Sequence, residues 1–121
     1  MPQTRKVEVF TNADMSSPLV WEYKLNANFG FLLQWWWTGL TGSSAVRVYA
    51  STQKGGPWIQ KVLHDKKCKC ILEVPITAAS DSDGVEANNF RGDYIKIEID
   101  AATTGTLSAV IDMSENGRVS G

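Results

Sequence analysis

Three side chains of the kind that bind metal ions lie close together in this sequence: His64, Cys68 and Cys70. A structural zinc site normally takes four imidazole or thiolate ligands with recognisable spacing, and no second histidine or cysteine pair follows. Strand alternation places both cysteines on the same face as Leu72 and Val74, which predicts small buried side chains rather than ligands. We therefore expect neither a metal site nor any other cofactor.

Two further segments contain residue types that bind ions or receptors. Asp81–Gly84 resembles a fragment of a calcium loop, but Glu86 follows too closely to be the late bidentate glutamate of such a loop. Arg91–Asp93 spells the tripeptide that integrins recognise on flexible loops. Because Asp93 runs directly into a predicted strand, a turn at Gly92 is the favoured interpretation. Asp81–Gly84 is predicted to be a solvated turn, and Asp93 to make an ordinary hydrogen bond at the start of its strand.

No combination of nucleophile, base and acid is visible. The sole histidine lies in a lysine-rich segment, and there is no Gly-x-Ser-x-Gly elbow, phosphate loop or dinucleotide fingerprint. We therefore expect no enzymatic activity. The lysines are predicted to be solvated charges, with docking of an acidic partner as the alternative; they are Lys61, Lys66, Lys67 and Lys69.

The segment Phe29–Thr38 concentrates aromatic side chains and includes three of the five tryptophans, Trp35, Trp36 and Trp37. Alternate side chains of a β-strand point to opposite faces, so the odd-numbered residues share one wholly apolar face. The even-numbered face is mixed and carries Trp36. This pattern predicts a central strand with one face in the core. Trp36 must then be covered by another element, another subunit or a ligand.

Four side chains are candidates for an interface or a ligand site: Leu32, Trp36, Tyr49 and Trp58. An outward tryptophan can stack against a sugar ring, as in carbohydrate-binding modules, or anchor a protein interface. Leu32 makes the patch around Trp36 more apolar than a typical sugar platform, which favours a protein interface. The alternative is that the segment 78–92 covers this face within the same subunit.

Period-two alternation and turn signals recur along the whole chain, and no segment has the periodicity of a helix. Pro75 suggests an edge strand or a bulge, and the polar segment 78–92 is predicted to be irregular. The predicted strands are residues 5–10, 19–25, 29–38, 45–52, 58–63, 68–77, 93–100 and 106–113. About eight short strands are typical of an all-β fold, here an antiparallel β-sandwich of jelly-roll or immunoglobulin-like type.

Length, net charge and the distribution of apolar residues argue against several classes of function. The 121 residues suffice for one domain with a core at about residues 5–113 and a loose tail from 115. The net charge of −1 gives no electrostatic case for nucleic-acid binding. No apolar run has the length of a membrane span, and the N-terminus lacks the apolar segment of a secretory signal. These features predict synthesis in a reducing cytoplasm, including that of a host that releases particles by lysis.

Several short motifs together resemble those of small β-sandwich proteins from tailed bacteriophages. In those proteins an apolar strand ends in Thr-Gly, a strand ending in Ala-Ser follows, and a glycine-rich turn leads to a tryptophan. The corresponding segments here are Trp37–Gly39, Val46–Ser51, Gly55–Trp58, Gly92–Ile97 and Thr104–Leu107, with an early Asn12–Met15. They span about residues 7–113 and mark turns and core positions. The tryptophan triplet and the strand at 68–75 depart from the pattern.

The resemblance implies a virion structural protein of decoration, head-fibre, tail or connector type, assembled in several copies. Our leading hypothesis is a non-enzymatic phage protein that contacts itself, capsid or tail proteins through a sheet face or edge around Leu32, Trp36 and Tyr49. Trp36→Ala is then expected to leave the monomer folded and to weaken assembly. The alternative is a carbohydrate-binding module that uses Trp36 or Trp58.

Overall fold

Antiparallel strand pairing organises the backbone of the protein, whose computed structural model describes residues 3–25 and 29–115. The turn predicted at 26–28 and the tail residues 116–121 lie outside the described residues. The strands are β1 (Gln3–Asp14), β2 (Leu19–Lys24), β3 (Phe29–Thr41), β4 (Ser44–Ser51), β5 (Ile59–Gln60), β6 (Leu63–His64), β7 (Cys70–Ile71), β8 (Val74–Ile76), β9 (Asp81–Phe90), β10 (Tyr94–Ile99) and β11 (Thr104–Glu115).

The strands form two sheets that pack on each other, which confirms the predicted antiparallel β-sandwich. The six-stranded sheet has the order β1-β11-β3-β9-β6-β7. In the five-stranded sheet β2, β10, β4 and β5 lie side by side, and β8 pairs with another part of β4. The described residues contain eleven strands rather than about eight, because two predicted strands are each split and one predicted loop contains a strand.

The core lies between the sheets and is built from the alternating apolar face of each long strand. On β3, the residues Phe31, Leu33, Trp35 and Trp37 are buried, and Trp35 is only 1% exposed. The intervening residues face outward, as predicted for a two-sided strand. On β10 the three isoleucines at 95, 97 and 99 are likewise buried, as their spacing predicts.

The prediction of an irregular segment at 78–92 is wrong, because this segment contains β9. β9 pairs with β3 from Phe29 to Trp37, directly beside the tryptophan strand. Val85 and Ala87 fill inward positions, whereas the outward positions hold small or polar residues. The segment therefore extends the sheet and leaves Trp36 uncovered.

Two predicted strands divide because the chain crosses between the sheets. Residues 58–63 give β5, which pairs with β4, and then β6, which pairs with β9 in the other sheet. Residues 68–77 likewise give β7 in one sheet and β8 in the other, so their alternation is not continuous. Cys68 and Cys70 are exposed, and the prediction that they are buried is wrong. Pro75 lies on β8, whose recorded pairing is with β4 alone, and this agrees with its predicted edge position.

β1 forms one edge of the six-stranded sheet. It is 12 residues long and pairs with β11, but its register shifts between Glu8 and Phe10 and again between Phe10 and Ala13. Asn12, within the second shift, has a φ of 47°. The edge is therefore long but interrupted.

Candidate binding groove

The structure separates the four candidate side chains into two pairs. Leu32 and Trp36 lie on the outer face of the six-stranded sheet, where they are 41% and 47% exposed. Tyr49 alternates with buried Val48 on β4, so it lies on the outer face of the five-stranded sheet. The single patch predicted around Leu32, Trp36 and Tyr49 is wrong, because β3 and β4 belong to different sheets.

A groove of about 500 Å³ runs beside Trp36 on the outer face of the six-stranded sheet. Binding sites for small molecules typically have volumes of roughly 300–1,000 Å³. The groove is bounded by β3, β9 and the turn that follows β6. Its lining comprises Leu32, Gln34, Trp35 and Trp36 from β3, the run Ser82–Glu86 from β9, and His64–Lys66.

Gly84 keeps the middle of the groove open. It pairs with Gln34, between the pair Trp36–Ser82 and the pair Leu32–Glu86. A Cβ atom at this position would lie 3.0 Å from the Leu33 carbonyl oxygen and 3.4 Å from Cγ of Gln34. Glycine therefore removes the one β9 side chain that would stand between Trp36 and Glu86.

The polar side chains of the groove differ in whether they already have a hydrogen-bond partner. Asp65 accepts hydrogen bonds at 2.9 Å from the backbone N–H groups of Lys67 and Lys69, and Asp83 accepts one at 2.8 Å from Gly84. The bonds from Lys69 and Lys67 hold the pKa of Asp65 below its usual value. Gln34 and Glu86, by contrast, have no hydrogen bond or ion pair within the described part of the chain. Their side chains are exposed and available to a ligand.

The outer face of the five-stranded sheet is occupied by its own charges. The Arg47 guanidinium forms a two-point contact with Asp100 and lies 3.1 Å from Glu73 and 3.7 Å from Glu98. Hydrogen bonds with Asp100 foremost, and then with Tyr49 and Glu73, raise the pKa of Arg47 above its usual range. Tyr49 donates a hydrogen bond to Glu98 at 3.1 Å.

The aromatic rings of this face are also occupied. The Lys96 ammonium lies 4.7 Å from the ring centroid of Tyr49 and 5.1 Å from that of Trp58. Trp58 can approach because Gly56 has a φ of 101° and no side chain; a Cβ there would lie 2.9 Å from the indole ring. Trp58 therefore folds back over the sheet. Tyr49 and Trp58 therefore have an intramolecular partner, which Trp36 lacks within the described residues.

Three exposed apolar residues lie along the segments where the chain crosses between the sheets. Ile59 is 68% exposed, and Val62 and Leu72 are each 50% exposed. Leu63 pairs with Ile71, and the Gln60 amide donates to the Leu72 carbonyl at 2.9 Å, so Leu72 lies beside the 59–62 segment. We call Ile59, Val62 and Leu72 the apolar edge, because β5 and β7 end their sheets here.

The other sites considered from the sequence are the candidate metal ligands and the Arg91–Asp93 tripeptide. Across the described ranges, no group of three or more histidine, cysteine, aspartate or glutamate side chains could hold a metal ion. In Arg91–Asp93, Gly92 has a φ of 138° and the Asp93 N–H donates to the Ser51 carbonyl at 2.9 Å, which agrees with the predicted turn. The described residues include no helix with the length and hydropathy of a membrane span.

Sequence reasoning missed both β9 as a groove wall and the apolar edge. Asp81–Gly84 was predicted to be a solvated turn, yet it is part of β9 and contributes Ser82, Asp83 and Gly84 to the groove lining. The one signal for β9 was the spacing of Val85 and Ala87, which its polar neighbours obscure. Val62 and Leu72 become neighbours through the pairing of β6 with β7.

The sequence matches no protein-family model and no curated protein. Its fold is similar to that of the SPBc2 prophage-derived protein YomS, with a TM-score of 0.67 and 14% identity, over 94% of this chain and 96% of that chain. At this identity the likeness is one of fold.

Two other solved structures have a more distant similarity. A protein described under "CBM4 structure and function" gives a TM-score of 0.48 and 11% identity, over 82% of this chain and 61% of that chain. A protein of Bacillus endospore appendages, described as disulfide-linked pili, gives 0.49 and 12%, over 94% and 88%. Their scores indicate only a loosely similar arrangement of strands.

Proposed function

We propose that this chain is a non-enzymatic structural component of a bacteriophage particle that assembles with copies of itself or with other particle proteins. Two findings support the virion role: the phage-like motifs of the sequence, and a fold that matches a prophage-derived protein over nearly the full length of both chains. The observation that carries assembly is the apolar edge. Exposed apolar side chains grouped in one region of a surface often mark a contact with another protein.

The apolar edge is a better assembly surface than the face around Trp36. Its charged neighbours along the chain are Lys61 and Glu73, and Glu73 is already paired with Arg47, whereas the groove includes Gln34 and Glu86 without a partner among the described residues. Burying the exposed part of Ile59, Val62 and Leu72 against a partner would contribute about 1 kcal/mol for each side chain. The two-residue strands β5 and β7 offer few backbone groups, so the contact would be made mainly by side chains.

Sedimentation of the purified chain over a range of concentrations tests the self-assembly arm of this proposal. We expect an oligomer for the natural sequence and a monomer for the triple variant Ile59→Ser, Val62→Ser, Leu72→Ser. Val20→Ser is the matched control, because Val20 is also 50% exposed but lies on β2 at the opposite edge of its sheet. Trp36→Ala should leave the mass unchanged.

Mass spectrometry of particles purified from the host that carries the gene tests the virion role directly. We expect the chain among the particle proteins at a copy number above one per particle, and its loss from particles when the triple variant replaces it. A chain absent from purified particles would contradict the virion role, and a monomer that also fails to enter particles would contradict assembly of either kind.

A further inference from the structure

We propose that the groove beside Trp36 binds a short, uncharged oligosaccharide. This ligand site is separate from the apolar edge, so it does not depend on the assembly surface proposed above. It is argued from one open aromatic face, two unpaired polar side chains, the dimensions of the groove and its charge.

Trp36 supplies an aromatic platform that nothing in the described chain occupies. Its side chain is 47% exposed, and no ring, cation or hydrogen-bond partner contacts it within the described residues. The electron-rich face of an indole attracts the polarised C–H groups that a pyranose presents on one side of its ring. Such stacking requires a free aromatic face, and Lys96 already lies over the rings of both Tyr49 and Trp58.

Gln34 and Glu86 supply the hydrogen bonds that orient a sugar. The amide of Gln34 both donates and accepts, and the carboxylate of Glu86 accepts from two directions, so together they match hydroxyl groups that do both. Neither side chain has a partner to give up within the described chain. A ligand therefore gains these bonds without breaking existing ones.

The dimensions suit more than one sugar ring. Trp36 and Leu32 lie four residues apart on β3, a separation of about 13 Å along the strand. Gly84 leaves the floor between them without a β9 side chain, and the whole groove has a volume of about 500 Å³. A ring stacked on Trp36 would thus be followed by further rings toward Leu32 and Glu86.

The unpaired carboxylate of Glu86 selects against acidic ligands. Asp65 and Glu86 place carboxylates along the outer side of the groove, whereas Asp83 pairs with Trp35 and so belongs to the inward side of β9. Lys66 also lines the groove, and Lys69 and Lys67 lie close enough to Asp65 to lower its pKa, so Glu86 is the lining carboxylate without a partner among the described residues. The negative groups of anionic glycans, nucleotides and phosphorylated ligands would be repelled where they approach Glu86. An uncharged chain of hexoses or N-acetylhexosamines has the hydroxyl groups and apolar ring faces without that penalty.

The test is an array of neutral and anionic oligosaccharides probed with the full chain, followed by calorimetric titration of the best neutral ligand. We expect binding to neutral oligosaccharides and a loss of affinity of about ten-fold in Trp36→Ala. Glu86→Gln should weaken binding about three-fold. Trp58→Ala is the matched control on the other sheet and should bind within about two-fold of the natural chain. Urea unfolding confirms that each variant is folded.

Three results would overturn the proposal: no neutral oligosaccharide bound at millimolar concentration, equal affinity for Trp36→Ala and the natural chain, or anionic glycans bound as well as neutral ones. Sedimentation of Trp36→Ala gives a fourth. A change in oligomer mass, without a change in glycan binding, would make the groove a protein contact instead. The triple variant of the apolar edge should retain glycan binding, so failure of the groove and failure of assembly are distinguishable.

Discussion

The two outer faces of the sandwich carry similar residue types but differ in how those residues are paired. On the five-stranded sheet, Arg47 is surrounded by carboxylates and Lys96 lies over two aromatic rings. On the six-stranded sheet, Trp36, Gln34 and Glu86 have no partner among the described residues. An outward aromatic residue is available for binding only where its ring face and its polar neighbours have no partner. Of the aromatic candidates Trp36, Tyr49 and Trp58, Trp36 alone meets this condition among the described residues.

Arg47→Ala should produce the largest effect, because it leaves the carboxylates of Glu73, Glu98 and Asp100 without their shared cation. We expect a loss of about 1–2 kcal/mol in the free energy of unfolding, measured with urea, since the network is only partly buried. Glu86→Gln on the other face should change that free energy by less than about 0.5 kcal/mol. Equal effects of the two substitutions would remove the distinction between a paired and an unpaired face.

Lys96→Met should have a smaller effect, because it keeps the aliphatic stem and removes a charge that lies over two rings and 3.8 Å from the Glu98 carboxylate. We expect a loss of about 0.5–1 kcal/mol in unfolding free energy and a change in tryptophan fluorescence as Trp58 loses its cation. Lys66→Met is the matched substitution at the groove and should be neutral within about 0.5 kcal/mol. A Lys66→Met variant as destabilised as Lys96→Met would show that the groove lysine also has a partner.

The smallest expected effect is a change with pH in the hydrogen bonds of the turn after β6, which forms one wall of the groove. Because two backbone N–H bonds lower the pKa of Asp65 below its ordinary value of 3.8, these bonds stabilise the turn fully above that pH. Their contribution is lost as the pH falls through the lowered folded-state pKa. The amide resonances of Lys67 and Lys69 should therefore titrate below pH 3.8, and Asp65→Asn should abolish that titration. Resonances that still titrate in Asp65→Asn would assign the effect to another group.

Sequence alone predicted the parts of the fold that depend on local alternation. The two-sided β3, the isoleucine ladder of β10 and the turn before Trp58 follow from residue spacing and glycine placement. β9 could not be predicted in the same way, because its outward residues are polar or small and its inward residues are modest in size. It is a strand because it pairs with β3, and that pairing joins residues about 50 positions apart along the chain.

The groove and the apolar edge were harder to predict than the strands. Trp36 and Leu32 were recognised as outward, but the groove needs Gly84 and Glu86 from β9 beside them. The apolar edge depends on where the chain crosses from one sheet to the other, between Gln60 and Leu63. The position of such a crossing depends on which sheet a segment pairs with. That pairing involves residues distant in sequence, so a local pattern does not predict it.

The register shifts of β1 affect whether its edge can pair with the backbone of another copy of this chain. An exposed strand of 12 residues would normally be a template on which an identical chain could lay its own backbone, copy after copy. The two register shifts and the left-handed backbone conformation of Asn12 break the even spacing of backbone donors and acceptors that strand pairing between copies requires. The register shifts thereby disfavour the growth of fibres along this edge, while contacts made by side chains elsewhere remain available.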